Sequence, residues 1–325
     1  MSAPPAPGAA ALVITGPTSG GKTGLAAEIA RRTGGTILSL DSMKVYRRLD
    51  IGTAKPSGAL RAELRFELID LREPWESFSA ADYLEAWRRA AAKHPGPCLI
   101  SGGTTFYLRA LRDGLFEGPT AAPAVRARLA AEAERSGVGA LHRRLATVDP
   151  VAAARIHATD LRRIVRALEV QETSGEPLTA WQARRRPLLD PERTWLIGVF
   201  RRRAELHARI DERVERMFAA GWVDEVRSLL DAHDPPWGPE AAQSIGYERI
   251  RAALLEGRDP RDEIPAIQAR TRGFARNQIT GVRKLPIEWW EAGERDELLA
   301  RIERAKVDQG EFPRDEARRA RAKEI

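Results

Sequence analysis

Eight residues near the N-terminus, Gly16-Pro17-Thr18-Ser19-Gly20-Gly21-Lys22-Thr23, constrain this chain more than any other part of it. They satisfy the phosphate-binding-loop pattern of a glycine, four residues, then Gly-Lys-Ser/Thr. The flanks agree with it. Ala11-Leu12-Val13-Ile14-Thr15 is a short apolar run, and Gly24-Leu25-Ala26-Ala27-Glu28-Ile29-Ala30 is helix-forming and stops near Gly34-Gly35. Strand, glycine-rich turn and helix therefore come in that order. The glycines let successive backbone N–H groups converge on phosphate oxygens, and the helix start adds its partial positive charge. Lys22 is placed to reach an outer phosphate, and the Thr23 hydroxyl to hold a magnesium ion.

Further strands are expected at Thr36-Ile37-Leu38-Ser39-Leu40, ending in Asp41-Ser42, and at Pro97-Cys98-Leu99-Ile100-Ser101, ending in Gly102-Gly103-Thr104. Strands separated by helical segments predict an α/β fold, a parallel sheet flanked by helices, with functional groups at the carboxyl ends of the strands. After Gly118-Pro119 the pattern turns helical. Leu161, Ile164, Val165 and Leu168 fall at i, i+3, i+4 and i+7, with Asp160 as N-cap and Gly175 closing the helix. Strand character resumes at Thr194-Trp195-Leu196-Ile197-Gly198-Val199-Phe200, and a long helix runs from about Arg202 to Ala220. The organisation read from this is a flexible lead at 1–10, a catalytic domain at 11–117 and 196–295, an all-helical insertion at 118–195, and a charged, frayed tail at 296–325.

Composition narrows the class. A chain of 325 residues buries a real core, and 43% hydrophobic residues exclude a disordered one. The single cysteine, Cys98, forms no internal disulfide or cysteine-based zinc site. No run of about 18 apolar residues is present, so a cytoplasmic protein without a membrane partner is expected, here as a monomer. The formal net charge is +7 and only seven of the cations are lysine: Lys22, Lys44, Lys55, Lys93, Lys284, Lys306 and Lys323. Arginine's planar fork suits phosphates, which makes nucleic acid a natural partner; a compositional bias toward Arg and Ala fits the same count.

Asp41 has three readings on residues alone: cap of the segment after it, magnesium ligand, or proton acceptor. On the long helix, Leu206, Ile210, Val214 and Met217 form the apolar stripe, and Arg213 lies beside it. An arginine there needs a partner, either an anion or an internal carboxylate. Arg162, Arg163 and Arg166 occupy the polar face of the inserted helix, as RNA contacts or as a solvated face. A phosphate-binding loop alone is compatible with a small-metabolite kinase, a transferase acting on free adenine nucleotides, or an RNA-binding protein that senses nucleotide.

The ordered set decides among these. The loop is followed by Asp41-Ser42-Met43-Lys44-Val45-Tyr46, Asp50-Ile51-Gly52-Thr53-Ala54-Lys55-Pro56 and Gly102-Gly103-Thr104. Then come Asp149-Pro150-Val151-Ala152-Ala153-Ala154-Arg155-Ile156-His157, Arg163-Ile164-Val165-Arg166-Ala167-Leu168-Glu169-Val170 and Ser244-Ile245-Gly246-Tyr247. Over roughly residues 11 to 290 the chain closely resembles the bacterial tRNA dimethylallyltransferases. The resemblance implies a P-loop NTPase-like sheet with a helical tRNA-binding insertion. It also implies transfer of a dimethylallyl group from dimethylallyl diphosphate to N6 of the adenosine immediately 3′ of the tRNA anticodon, with Mg2+ and without ATP consumption.

The resemblance further implies that Asp41 removes the N6 proton, Thr104 stands at the donor's bridging oxygen, and Arg213 grips the leaving diphosphate. Gly16 to Thr23 and Arg209 would hold the donor, with Thr23 at the metal. Ser42, Met43, Lys44, Arg126, Arg162, Arg163, Arg166, Gln243, Gly246 and Tyr247 would face the anticodon stem-loop. Four departures stand out. Lys44 replaces a common glutamine, Phe66-Glu67 a common histidine pair, Asn277 a basic residue and Gly281 a tryptophan.

Overall fold

A computed structural model describes residues 9–94, 96–116, 118–119, 122–305, 312–313 and 315–321. The chain divides into two compact units, Met1–Arg112 with Leu188–Ile325, and Asp113–Pro187. In chain order the first unit begins with β1 (Ala9–Thr15), α1 (Lys22–Thr33), β2 (Ile37–Leu40), α2 (Gly58–Glu63), β3 (Phe66–Glu67), α3 (Ala80–Lys93), β4 (Cys98–Gly102) and α4 (Thr105–Asp113). The second unit holds α5 (Pro123–Ser136), α6 (Val138–Val148), α7 (Pro150–Arg155), α8 (Leu161–Ser174) and α9 (Leu178–Ala183). The first unit resumes with β5 (Leu189–Phe200), α10 (Arg203–Ala219), α11 (Trp222–Ala232), α12 (Tyr247–Leu255), α13 (Ile264–Val282), β6 (Glu288–Glu291), α14 (Arg295–Arg304) and α15 (Glu316–Ala320).

The strands form one sheet in the order β3-β2-β4-β1-β5-β6, with every pairing parallel. β1 is buried from Ala10 to Thr15 and lies between β4 and β5, so the loop after it leaves from the middle of the sheet's carboxyl edge. That is where an open parallel sheet makes its crevice. Gly16 has φ 133°, and a Cβ there would run into the Val199 carbonyl oxygen of β5, so no larger residue fits this exit.

One face of the sheet packs against α1 and α14 through Leu12, Ile14, Leu25, Ile29, Leu99, Trp195, Ile197, Trp290, Leu298 and Ile302. Full burial of side chains of this size contributes about 1.5–3 kcal/mol each. The expected frayed tail is therefore corrected in part. α14 seals the core with Leu298, Leu299 and Ile302, and Arg318 of α15 stacks 3.3 Å from the Trp290 ring centroid. Its charged residues hide an i, i+1, i+4 apolar stripe. Residues 306–311, 314 and 322–325 of that tail lie outside the described residues, as do residues 1–8 of the expected N-terminal lead.

Two strands were not expected. β3 is two residues long, and β6 reads Glu-Trp-Trp-Glu, charged at both ends. Glu288 is fully buried, where burial pushes its carboxyl upward and its Oε1 accepts the Asp315 N–H at 2.8 Å. β5 also starts earlier than its apolar run. Ala9 pairs with Leu189 and Ala11 with Thr194, so the polar stretch Asp190 to Arg193 bulges out of register.

The second unit is helical, with a core of Leu129, Leu141, Leu145, Ile164, Leu168 and Leu178. In α8, Asp160 accepts from the Arg163 N–H and Gly175 closes the helix at φ 74°, the cap and stop expected from the sequence.

Candidate active site

The loop from Gly16 to Thr23 is closed by a Gly20 N–H to Pro17 carbonyl bond of 3.1 Å. The first turn of α1 holds no acidic residue, so its positive end is left for an anion. Ser19 sits at φ 59°, with its buried hydroxyl unpartnered among the described residues. Lys22 Nζ donates to the Pro17 carbonyl at 2.6 Å, folding back over the loop. Arg209 Nε reaches the Ser19 carbonyl at 3.4 Å from α10.

β2 and β4 bring the next residues to this edge. The Thr104 N–H bonds to the Leu40 carbonyl at 3.1 Å, drawing the two strand ends together. Thr104 Oγ1 accepts the Ser42 N–H at 3.0 Å. Asp41 Oδ1 accepts the N–H groups of Met43 and Lys44 at 2.9 and 3.3 Å, so the cap reading is correct for that oxygen. Asp41 Oδ2 has no hydrogen-bond partner among the described residues. The carboxylate is held at one oxygen and open at the other.

Electrostatics ties the loop, β2 and α10 into one set. Burial, the neighbouring Arg213 and then Lys44 lower the Lys22 pKa to about 7, against an opposing pull from Asp41. Arg213 is lowered by burial, with Asp41 opposing and Arg216 adding. Lys44 is lowered by burial, opposed by Asp41 and reinforced by Arg213 and Lys55. Three cations and one carboxylate thus share the site. Arg216 pairs with Glu212, but Arg213 has no carboxylate within 4.0 Å among the described residues. The internal salt bridge that sequence alone left open is not formed.

The neighbouring motifs are framework. Lys55 is 2% exposed at its side chain and donates to the Tyr46 carbonyl, Asp50 and Asp70 at 2.5–2.6 Å. Glu225 accepts the N–H groups of Asp50, Ile51 and Gly52 and the Tyr247 hydroxyl. Tyr247 is 1% exposed between Trp222 and Trp237, and Gly246 lies flush against Trp222. Their expected RNA-facing role is therefore corrected: both shape the wall, with no surface of Tyr247 left for RNA. Gln243 is exposed, and Ser244 donates to Met43 Sδ at 2.9 Å, steadying the segment after Asp41.

Gln278 of α13 escaped sequence reasoning. Only 7% exposed, it accepts the Thr18 N–H at 2.7 Å and donates to the Gly103 carbonyl at 3.0 Å. It clamps the phosphate loop to the Gly102-Gly103-Thr104 turn, 260 residues away from Thr18 in sequence. No local pattern signals that. Gly281, three residues on, accepts from Arg109 at 2.7 Å, and a side chain there would press on Thr105, so a bulky residue does not fit unchanged.

Among the described residues no group of three or more His, Cys, Asp or Glu is arranged to hold a metal ion. Magnesium needs less, one or two protein oxygens with substrate phosphates and water completing the octahedron. The exposed Thr23 hydroxyl beside the loop, with Asp41 as the nearby carboxylate, fits that requirement.

In the helical unit the expected RNA contacts divide. Arg126 and Arg166 bind the fully buried Glu169 at 2.8 and 2.7 Å, so they are first of all its internal counter-charges. Arg163 pairs with Asp160, and Arg162 is exposed without an ion pair among the described residues.

The sequence profile of the IPP transferase family matches residues 44–285. A tRNA dimethylallyltransferase of Xanthomonas campestris pv. campestris is 45% identical over 305 residues, 88% of this chain and 90% of that protein. One from Syntrophobacter fumaroxidans is 43% identical, covering 91% of this chain and 88% of its own length. Among solved structures, the tRNA isopentenylpyrophosphate transferase of Bacillus halodurans is 29% identical with a TM-score of 0.65, over 93% of this chain and 97% of that one. A eukaryotic dimethylallyltransferase acting on tRNA shares the fold at a TM-score of 0.77 and 21% identity, over 96% of this chain and 83% of its own. With this profile spanning most of the chain and relatives 43–45% identical over about nine-tenths of it, the chain belongs to the IPP transferase family.

Proposed function

We propose that this chain transfers the dimethylallyl group of dimethylallyl diphosphate to N6 of the adenosine immediately 3′ of a tRNA anticodon, releasing diphosphate. The observation that carries the reading is the convergence on one phosphate loop of a half-open carboxylate, Asp41, with Lys22 and Arg213, two cations without an ion pair among the described residues. The names of the relatives, tRNA dimethylallyltransferases at up to 45% identity, support the same substrate pair.

The chemistry follows from the groups present. The N6–C1 bond forms as the C1–O bond to diphosphate breaks, and the N6 proton passes to Asp41 Oδ2. Negative charge gathers on the leaving diphosphate, where the loop N–H groups, Lys22, Arg213 and Arg209 stabilise it. Thr104 Oγ1, fixed by the Ser42 N–H, stands at the bridging oxygen. Mg2+ bound at Thr23 would neutralise diphosphate oxygens when present. The adenosine leaves its stack to reach the loop. Arg162 and Arg163 of the helical unit, with Gln243 and the Ser42-Met43 segment, engage the anticodon stem-loop, and a tRNA substrate places the work in the cytoplasm.

Mass spectrometry of tRNA nucleosides after incubation with the purified protein, donor and Mg2+ tests this. A mass gain of one dimethylallyl group on adenosine is expected. ATP turnover without any prenylated nucleoside would replace the reading with a kinase.

A further inference from the structure

Lys44, three residues after Asp41, is half-buried beside the phosphate loop. It lines a cavity together with the hydroxyl residues Thr23, Ser39 and Ser101 and the apolar residues Ala26, Ile37, Pro56, Phe66 and Ile69. Lys44 is the one charged residue among those that line it. Among the described residues Lys44 has no ion pair, whereas Lys55, the next lysine in sequence, has Asp50 and Asp70. Asp41 is the one carboxylate that raises its pKa, and Arg213 and Lys55 oppose the charge. A cation removed from water and left unpaired costs stability, and a bound anion relieves that cost.

The position says which anion. Lys44 shares its cavity with Thr23, the last residue of the phosphate loop, and its charge is felt at Lys22. It therefore stands at the side of the loop where a magnesium ion would meet diphosphate oxygens. We infer that the Lys44 ammonium is a second lysine anchor for the donor's diphosphate, supplying at the Thr23 side of the loop a built-in charge that lessens the need for a metal ion in donor binding. This rests on the proposed reading that the loop holds diphosphate. Ser39 and Ser101, which line the same cavity, carry no charge that would compete for the ammonium.

The test is calorimetric binding of inorganic pyrophosphate to the intact protein and to Lys44→Gln, Lys44→Met and Lys44→Arg, each in EDTA and in Mg2+. The wild-type protein should bind pyrophosphate in EDTA. Lys44→Gln and Lys44→Met should weaken that binding on the order of tenfold to a hundredfold, with a smaller loss in Mg2+ and with tRNA affinity unchanged. Lys44→Arg should recover part of the loss. Removing an unpaired, half-buried cation should leave both neutral variants with a Tm at or above that of the wild type, which keeps folding out of the comparison. Unchanged pyrophosphate affinity, or a loss confined to tRNA binding, overturns the role of Lys44 while wild-type prenylation leaves the proposed function standing. A wild-type protein that binds no pyrophosphate under either condition overturns both.

Discussion

Asp41 divides its work between its two oxygens, and that division makes the residue testable. Oδ1 holds the backbone of Met43 and Lys44, and Oδ2 is open to the site. Asp41→Ala should lower kcat by about 10²–10⁴-fold while tRNA affinity stays close to wild type. Single-turnover prenylation beside filter binding reads both; a wild-type rate would remove Asp41 as proton acceptor. Lys22 gives a pH prediction. With its pKa lowered to about 7 by burial and by Arg213, Lys22 in the free protein loses its proton as pH rises through that value. A bound diphosphate favours the ammonium and raises the pKa again. Pyrophosphate affinity should thus fall above pH 7, and binding at pH 8 should take up about one proton. Calorimetry in buffers of different ionisation heat measures that uptake; none at pH 8 would mean that Lys22 stays charged without ligand.

At the scale of elements, the site depends on helices that present one polar residue from a buried face. α10 buries Leu206, Ile210, Val214 and Met217, and that packing fixes the direction of Arg213 at the edge of the stripe. The spacing of those residues was readable and puts Arg213 beside the stripe, while the role expected of Arg213 came from the family resemblance. α13 is different: it buries Ile267, Ala275, Gln278 and Val282, a sparse and mixed face. Gln278→Ala should cost about 1–3 kcal/mol of stability, because it leaves the Thr18 N–H and the Gly103 carbonyl without their partner in a buried place. Donor affinity should fall as well, since Thr18 belongs to the loop. Chemical denaturation and pyrophosphate binding check the pair of effects, and a variant equal to wild type in both would deny the clamp. β3 and β6 were missed for element-level reasons. Two residues carry no period, and β6 is buried by its neighbours despite charged ends, with α14 and α15 supplying the cover.

For the whole molecule, the question is how the basic residues of the helical unit serve tRNA. Arg126 and Arg166 neutralise the buried Glu169, whereas Arg162 and Arg163 are exposed. Charge reversal at Arg162 and Arg163 together should weaken tRNA binding and flatten its dependence on salt by roughly one unit of log–log slope per lost phosphate contact. An unchanged slope in a salt titration would make them a solvated face. The sequence alone pointed to the phosphate loop, the parallel α/β class and the helical insertion through local spacing (a glycine pattern, an apolar run, a cap three residues from its N–H), and to the family through the resemblance of its ordered motifs. Tertiary structure decided the rest. Only folding placed Gln278 between Thr18 and Gly103, buried Tyr247 among tryptophans, and left Arg213 without a carboxylate among the described residues. Only folding set Lys44 and Thr23 along one cavity. Those facts depend on burial and on partners distant in the chain, where neighbours in space, not in sequence, set the cost of every charge.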